Sequence, residues 1–218
     1  MYTIHKALDV PALDGELNSG LWQQAETLRI EHFHPRGSGH RPGAEARMLY
    51  DDSAIHLIFQ VRDRYVRCVH TGYQSAVWKD SCVEFFVAPR PGIGRYFNIE
   101  VNCGGGLCLQ YGPPRAEGQR DILSAELGKK VAIYHSMPEV VDPEIAKPTD
   151  WIVQLRIDLA LFGEVEGPVG PLAGQEWKAN FYKCADECSH PHWASWSPVG
   201  DPLDFHRPET FAPIRFTE

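Results

Sequence analysis

Concentrated positive charge is missing from this sequence: 21 lysines and arginines are scattered among 29 acids, for a formal net charge of −8. Nucleic acids and anionic membranes are gripped by clusters of cations, so neither is an expected partner, and neutral or cationic ligands suit the surface better. Long apolar runs are missing too, and no segment reaches the ~20 residues of a membrane-spanning helix. The opening "MYTIHKALDVPALDGELNSGLW" has no basic start followed by an apolar block. No leader is therefore visible, which fits a cytoplasmic chain or a secreted one already trimmed. The cysteines at 68, 82, 103, 108, 184 and 188 include no CxxC pair, and "CGGGLC" and "CADEC" fall outside zinc-ribbon spacing. They read as small buried hydrophobes. Cys103–Cys108 or Cys184–Cys188 would be disulfides only where the turn geometry allows. No GxSxG, HExxH, P-loop or dinucleotide fingerprint occurs.

What is present is period-2 alternation. With 43% hydrophobic and 23% charged residues the composition supports a sizeable core, and 17 prolines with 19 glycines suit short strands joined by turns. "ARMLY" (46–50) and "AIHLIFQVRD" (54–63) flank the turn cluster "DDS" and predict a hairpin. "SCVEFFVAP" (81–89), "RYFNIEVNC" (95–103) and "LCLQY" (107–111) follow, with "KVAIYHSM" (130–137), "DWIVQLRID" (150–158), "WKANFYKC" (177–184) and "FAPIRF" (211–216) further on. "SGLWQQAE" (19–26) predicts a helical turn or two before "TLRIEHF" (27–33), and no other segment sustains a 3.6 period. Long surface loops are expected over 112–126, 138–150 and 162–175. The pattern predicts an all-β fold: an antiparallel, jelly-roll-like β-sandwich with long loops and at most one or two short helical turns, as a single domain over 1–218.

The strand faces carry the functional signal. In 81–88, Val83, Phe85 and Val87 share one side, while Cys82, Glu84 and Phe86 share the other. In 95–103, Phe97, Ile99 and Val101 oppose Tyr96, Asn98, Glu100 and Asn102. In 177–184, Lys178, Asn180 and Tyr182 alternate with Ala179, Phe181 and Lys183. If these strands pair, carboxylates and amides gather amid aromatic rings on one surface. Such groups exchange hydrogen bonds with hydroxyls, while rings stack on C–H patches, which is the chemistry a sugar needs. The same pattern is that of an ordinary solvated sheet face. Trp22, Trp151 and Trp177 lie in apolar patterns and are expected in the core.

"LDGELNSGLWQQAE", "WKDSCVEFFVAP" followed by "YFNIEVNCGG", and "WKANFYKCADECSHPHWASWSPV" with "DFHRPETFAPIRF" resemble, in order, the family 9 carbohydrate-binding modules, closest to their stand-alone family 9-like branch. The resemblance runs from about Leu13 to Phe216. It implies a non-catalytic β-sandwich related to DOMON-type domains, found alone or attached to xylanases and similar polysaccharide-degrading hydrolases. It further implies that the end of an oligosaccharide or polysaccharide, a glucan or xylan, is held between two Trp side chains, and that calcium is bound structurally. Carried over by position, the two Trp are Trp78 and Trp196, with Glu84 and Asn102 as polar contacts. Asn98 and Glu100 share their face. Glu100 stands where the xylanase-linked modules carry Arg, so a donor has become an acceptor, which implies a different sugar or none. Trp193 and Trp196 are three apart, so on a strand at most one of them faces the site.

Other constellations point elsewhere. Glu84 and Glu100, on neighbouring strands and one face, also suit the carboxylate pair of a glycosidase. Met48 or Met137 with a histidine would suit haem, as in DOMON relatives. His190, His192, His206, Cys184 and Cys188 offer transition-metal donors without a recognised spacing. Asp51, Asp52, Asp63, Asp80 and Asp186 are scattered oxygen donors for calcium.

Overall fold

A computed structural model describes residues 1–217 of the chain. In chain order the strands are β1 (Tyr2–Lys6), β2 (Leu28–Ile30), β3 (His32–Phe33), β4 (Gly43–Tyr50), β5 (Ala54–Asp63), β6 (Val66–Cys68), β7 (Cys82–Ala88) and β8 (Tyr96–Asn102). They continue with β9 (Leu107–Gly112), β10 (Asp121–Ile122), β11 (Val131–His135), β12 (Val141–Ile145), β13 (Thr149–Asp158), β14 (Glu176–Ala185), β15 (His192–Ser195) and β16 (Ala212–Phe216). The two α-helices are α1 (Ala125–Gly128) and α2 (Leu159–Glu166).

Two curved sheets result, and β6 and β12 pair antiparallel as a separate two-stranded sheet. The first runs β10-β9-β8-β7-β14-β16, with β15 and then β3 added alongside the far end of β14. The second runs β4-β5-β13-β11, with β2 on the outer side of β4. β1 joins them in parallel pairing, its Tyr2–Ile4 beside β16 and its His5–Lys6 beside β4. The β-sandwich expected from alternation is what forms. β5 and β13 pair without a break from Ala54↔Asp158 to Asp63↔Thr149.

The inner faces make the core. Val83, Phe85 and Val87 pack with Phe97, Ile99, Val101 and Phe181 on one side and Leu57, Phe59, Val153 and Leu155 on the other. Phe181 stacks on Phe85 at 5.0 Å and meets Phe59 of the opposing sheet edge-on at 6.4 Å. Trp151 and Trp177 are buried in this core, whereas Trp22 is buried on the opposite face of the second sheet, against Leu49 and Ile58.

Three differences from the sequence reading have physical causes. β1 pairs only with strands distant in sequence, so nothing local announces it. α2 begins inside the predicted strand–loop boundary: Asp158 accepts a 2.9 Å bond from the Ala160 N–H as its N-cap, and Leu161 and Phe162 bury its apolar side. The segments read as loops over 112–126 and 138–150 contain β10, the start of α1 and β12, short elements held by neighbours rather than by pattern.

One charged side chain enters the interior. Lys183 projects from the inner face of β14 with no solvent exposure, donating to the Cys184 carbonyl at 3.0 Å and to His192 Nε2 at 2.7 Å. Its Nζ also faces Asp63 Oδ2 at 3.3 Å, an ionic contact without hydrogen-bond geometry. His192 is therefore neutral, with Nδ1–H donating to the His190 carbonyl, and burial followed by the Lys183 charge pushes it down to about 3. Asp63 Oδ1 is bonded by His40 at 2.7 Å and by the Arg64 N–H. Burial alone would raise the Asp63 carboxyl, but Lys183, His40, His192 and that N–H outweigh it and hold it below the usual carboxylate range.

Because the folded acid is the stronger one, its contribution is present above the unfolded value near 4 and is lost as pH falls below it. Asp63→Asn strands the Lys183 charge and is expected to cost about 3–5 kcal/mol at pH 7 in urea unfolding. The gap from wild type should narrow as the pH is lowered below about 4.

Candidate functional site

The outer face of the first sheet is not a solvated surface. Glu84, Asn98, Glu100, Asn102, Asn180 and Tyr182 are all at most 4% exposed. Phe86, Tyr96 and Tyr182 on that face need covering, and Val199, Phe205 and Phe211 of the 196–211 loop pack onto them. Between this cover and the 3-10 turn Val77–Lys79 a cavity of about 220 Å³ remains. Trp78, Trp193, Phe205 and His206 contribute rings to it, and Glu84, Glu100, Arg115, Asp186 and Asp204 contribute ionisable groups.

Strand register builds the floor. β7 pairs antiparallel with both β8 and β14, so Glu84 lies directly opposite Glu100 on one side and Tyr182 on the other. Two carboxyls side by side and out of water resist ionisation. Burial first, then the charge of Glu100, raises Glu84 well above its ordinary value. Burial lifts Glu100 to about 7 against the opposing pull of its Asn98 bond and of Arg115 and Arg120. The pair thus retains protons that exposed carboxyls lose, and presents both donor and acceptor oxygens to the cavity.

The walls are fixed by backbone bonds. Trp78 sits on the 3-10 turn before β7, where the Asp186 N–H donates to its carbonyl at 3.2 Å. Trp193 lies on β15 opposite Cys184, and its indole N–H donates to Asp186 Oδ1 at 2.7 Å. Burial raises the Asp186 carboxyl, and this bond opposes the rise. Tyr96 hydroxyl and His206 Nδ1 are 2.7 Å apart. Burial, then Arg115 and Arg120, push His206 down to about 2, so the ring is neutral.

The positions named from sequence divide accordingly. Trp78, Glu84 and Glu100 line the cavity. Asn98 stands behind it, donating to Glu100 Oε1 at 2.7 Å. Asn102 is committed to the backbone: its amide donates to the His70 carbonyl and to Asp80 Oδ2, and its oxygen accepts from the Gly106 N–H. Trp196 is the correction. Its N–H bonds the Phe181 carbonyl, and its ring packs edge-on against Phe181 and Tyr2 on the core side of the sheet. Three residues on a strand reverse the face, so Trp193, not Trp196, shares the cavity with Trp78. The spacing rule allowed one of the two Trp at the site without saying which; Arg115, Asp186 and Phe205 come from loops whose path alternation does not give.

Arg120, which no strand pattern marks, anchors one such loop. Its Nε and Nη2 donate to Asn98 Oδ1 at 3.0 and 2.6 Å, Nη2 also bonds the Tyr96 carbonyl, and Nη1 bonds the carbonyls of Gly112 and Pro113. The guanidinium lies 4.0 Å over the Tyr96 ring. This staple holds the 113–120 segment, and with it Arg115, over the sheet.

The family model for carbohydrate-binding family 9 matches residues 18–216 of the chain. The chain belongs to carbohydrate-binding family 9. A crystal structure from Bacteroides uniformis ATCC 8492, of a protein provisionally assigned as carbohydrate-binding, matches this family 9 chain at 31% identity with a TM-score of 0.87, over 98% of this chain and 97% of that one. A family 9 carbohydrate-binding module from Caldicellulosiruptor kristjanssonii shares the fold, with a TM-score of 0.67 at 13% identity. Its complex with glucose covers 99% of this chain and 95% of that one; its complex with cellotriose covers 99% and 93%. No curated protein matches the family 9 chain in sequence.

Elsewhere in this family 9 domain the remaining candidates disperse. His190 stacks on Tyr65 at 3.6 Å, His192 is bound to Lys183 and His206 to Tyr96. Met48 is in the core and Met137 packs at its margin, and neither lines the cavity. The cysteines are all buried free thiols. For calcium the acids do not converge: Asp51 caps the turn at Ser53 and Ala54, Asp63 belongs to Lys183, and Asp80 accepts from the N–H groups of Val69 and His70. Among the described residues the one group of three or more His, Cys, Asp or Glu side chains close enough to share an ion is Cys82, Glu84 and Cys184, and its sulfurs do not suit calcium.

Arg120→Met should cost about 2–4 kcal/mol in chemical denaturation, because Asn98 and three carbonyls lose a charged donor. Faster amide hydrogen exchange over residues 113–120 would accompany it.

Proposed function

We propose that the cavity binds one terminal residue of a neutral oligosaccharide without breaking it. The observation that carries this reading is the placement of two partly buried indoles, Trp78 and Trp193, around a floor of unexposed Glu84 and Glu100. Indole faces cover the C–H patches of a pyranose at low entropic cost, while carboxyl oxygens fix its hydroxyls. The volume of about 220 Å³ lies below the roughly 300–1,000 Å³ of drug-sized sites, which favours a single ring entering end-on over a chain lying along a groove. Four acids against one arginine disfavour uronic acids. The glucose and cellotriose complexes of the C. kristjanssonii module support a gluco-configured ligand.

A second reading, glycoside hydrolysis, rests on the same Glu84–Glu100 pairing. The family match favours binding over hydrolysis. Reducing-sugar release by wild type but not by Glu84→Gln would reverse that preference.

Titration calorimetry against glucose, cellobiose, cellotriose and xylotriose should detect binding to at least one sugar. Trp78→Ala and Trp193→Ala are each expected to weaken it about tenfold or more, equivalent to about 1.4 kcal/mol. Trp196→Ala should leave affinity unchanged while lowering stability. Equal affinity in Trp193→Ala and wild type, or lost affinity in a folded Trp196→Ala, would overturn the assignment of the walls.

A further inference from the structure

We propose that Cys82, Glu84 and Cys184 form a site for zinc or a similar borderline-soft divalent ion at the floor of the cavity, with a fourth coordination position opening into it. The Sγ atoms of the two cysteines and a Glu84 carboxylate oxygen all lie within 4.8 Å of one another. Cys184 Sγ is 3.1 Å from Glu84 Oε1. Ligand bonds of ~2.3 Å to sulfur and ~2.0–2.2 Å to oxygen place tetrahedral donors ~3.5–3.8 Å apart, so small side-chain rotations close the shell.

The donors stand on strands rather than loops. Cys82 and Cys184 are direct partners across β7 and β14, and Glu84 is the next residue of β7 on the same face. Register therefore holds all three in place before any ion arrives, as a preorganised site requires. Two sulfurs and one carboxylate select zinc or cobalt over calcium or magnesium. Three protein ligands with an open position are the arrangement of reactive rather than purely structural zinc. Glu84 and Cys184 line the cavity, so an ion has an entry path and its fourth ligand is water or a hydroxyl of a bound molecule.

The test uses the full chain, purified reduced and metal-free, titrated with cobalt(II) and then zinc. One cobalt per chain should bind, with a thiolate-to-cobalt charge-transfer band in the near ultraviolet and tetrahedral d–d bands in the visible, and zinc should displace it. Cys82→Ser and Cys184→Ser should abolish the charge-transfer intensity or halve it, Glu84→Gln should weaken binding at least about tenfold, and Cys188→Ser should bind as wild type. Thermal unfolding checks that each variant is folded. Three results overturn the proposal: no thiolate band in folded reduced protein, an unchanged band in Cys184→Ser, or a Cys82–Cys184 disulfide that re-forms in preference to metal binding. Sugar affinity is measured separately, so failure of the binding reading and failure of the metal site are distinguishable.

Discussion

The antiparallel register of β7 against β14 and β8 is the constraint on which the rest of the molecule depends. It puts Phe85 beside Phe181 and Ile99 on the inner face, and Glu84 between Tyr182 and Glu100 on the outer one. A slip of one residue would exchange these rows, sending carboxyls into the core and phenylalanines into the cavity. Neither face of this part of the sheet tolerates that, because both are buried. Core packing thus specifies the site: the same pairing that satisfies the phenylalanines brings the two acids together.

Burial of both faces makes the polar groups costly, and the structure offsets that cost in two ways. Inside the sandwich, Lys183 is compensated by Asp63, His192 and a carbonyl, a network closed to solvent. On the outer face Arg120 donates to Asn98 and Asn98 donates to Glu100, which opens into the cavity. The first arrangement anchors the fold. The second leaves carboxyl oxygens of Glu84 and Glu100 facing a space that a ligand can fill. Carboxyl groups set beside aromatic walls give that space its character.

The chain belongs to family 9, and its own residues give this cavity its character. The floor carries Glu100, and positive charge comes from the 113–120 loop through Arg115, with Arg120 behind it on Asn98. The cavity therefore sets the Arg115 donor beside an acid pair with raised proton affinity. Placing Cys82 and Cys184 beneath that pair adds a sulfur-rich corner that carbohydrate recognition by itself does not require.

By itself the sequence determined the strands and their faces. Alternation located β4, β5, β7, β8, β13 and β14 to within a few residues, and it separated Val83, Phe85 and Val87 from Cys82, Glu84 and Phe86, because side-chain direction on a strand follows from position alone. It also limited Trp193 and Trp196 to one place at the site between them. Tertiary structure decided which one: only the pairing of Trp193 with Cys184, and of the Trp196 N–H with Phe181, shows which face each occupies. It likewise decided that the polar face is roofed rather than solvated, that Asn102 holds a turn, and that Arg115, Asp186 and Phe205 close the cavity. Loops obey no period, so their contributions are set by what they cover, and that is known only once the sheets have formed.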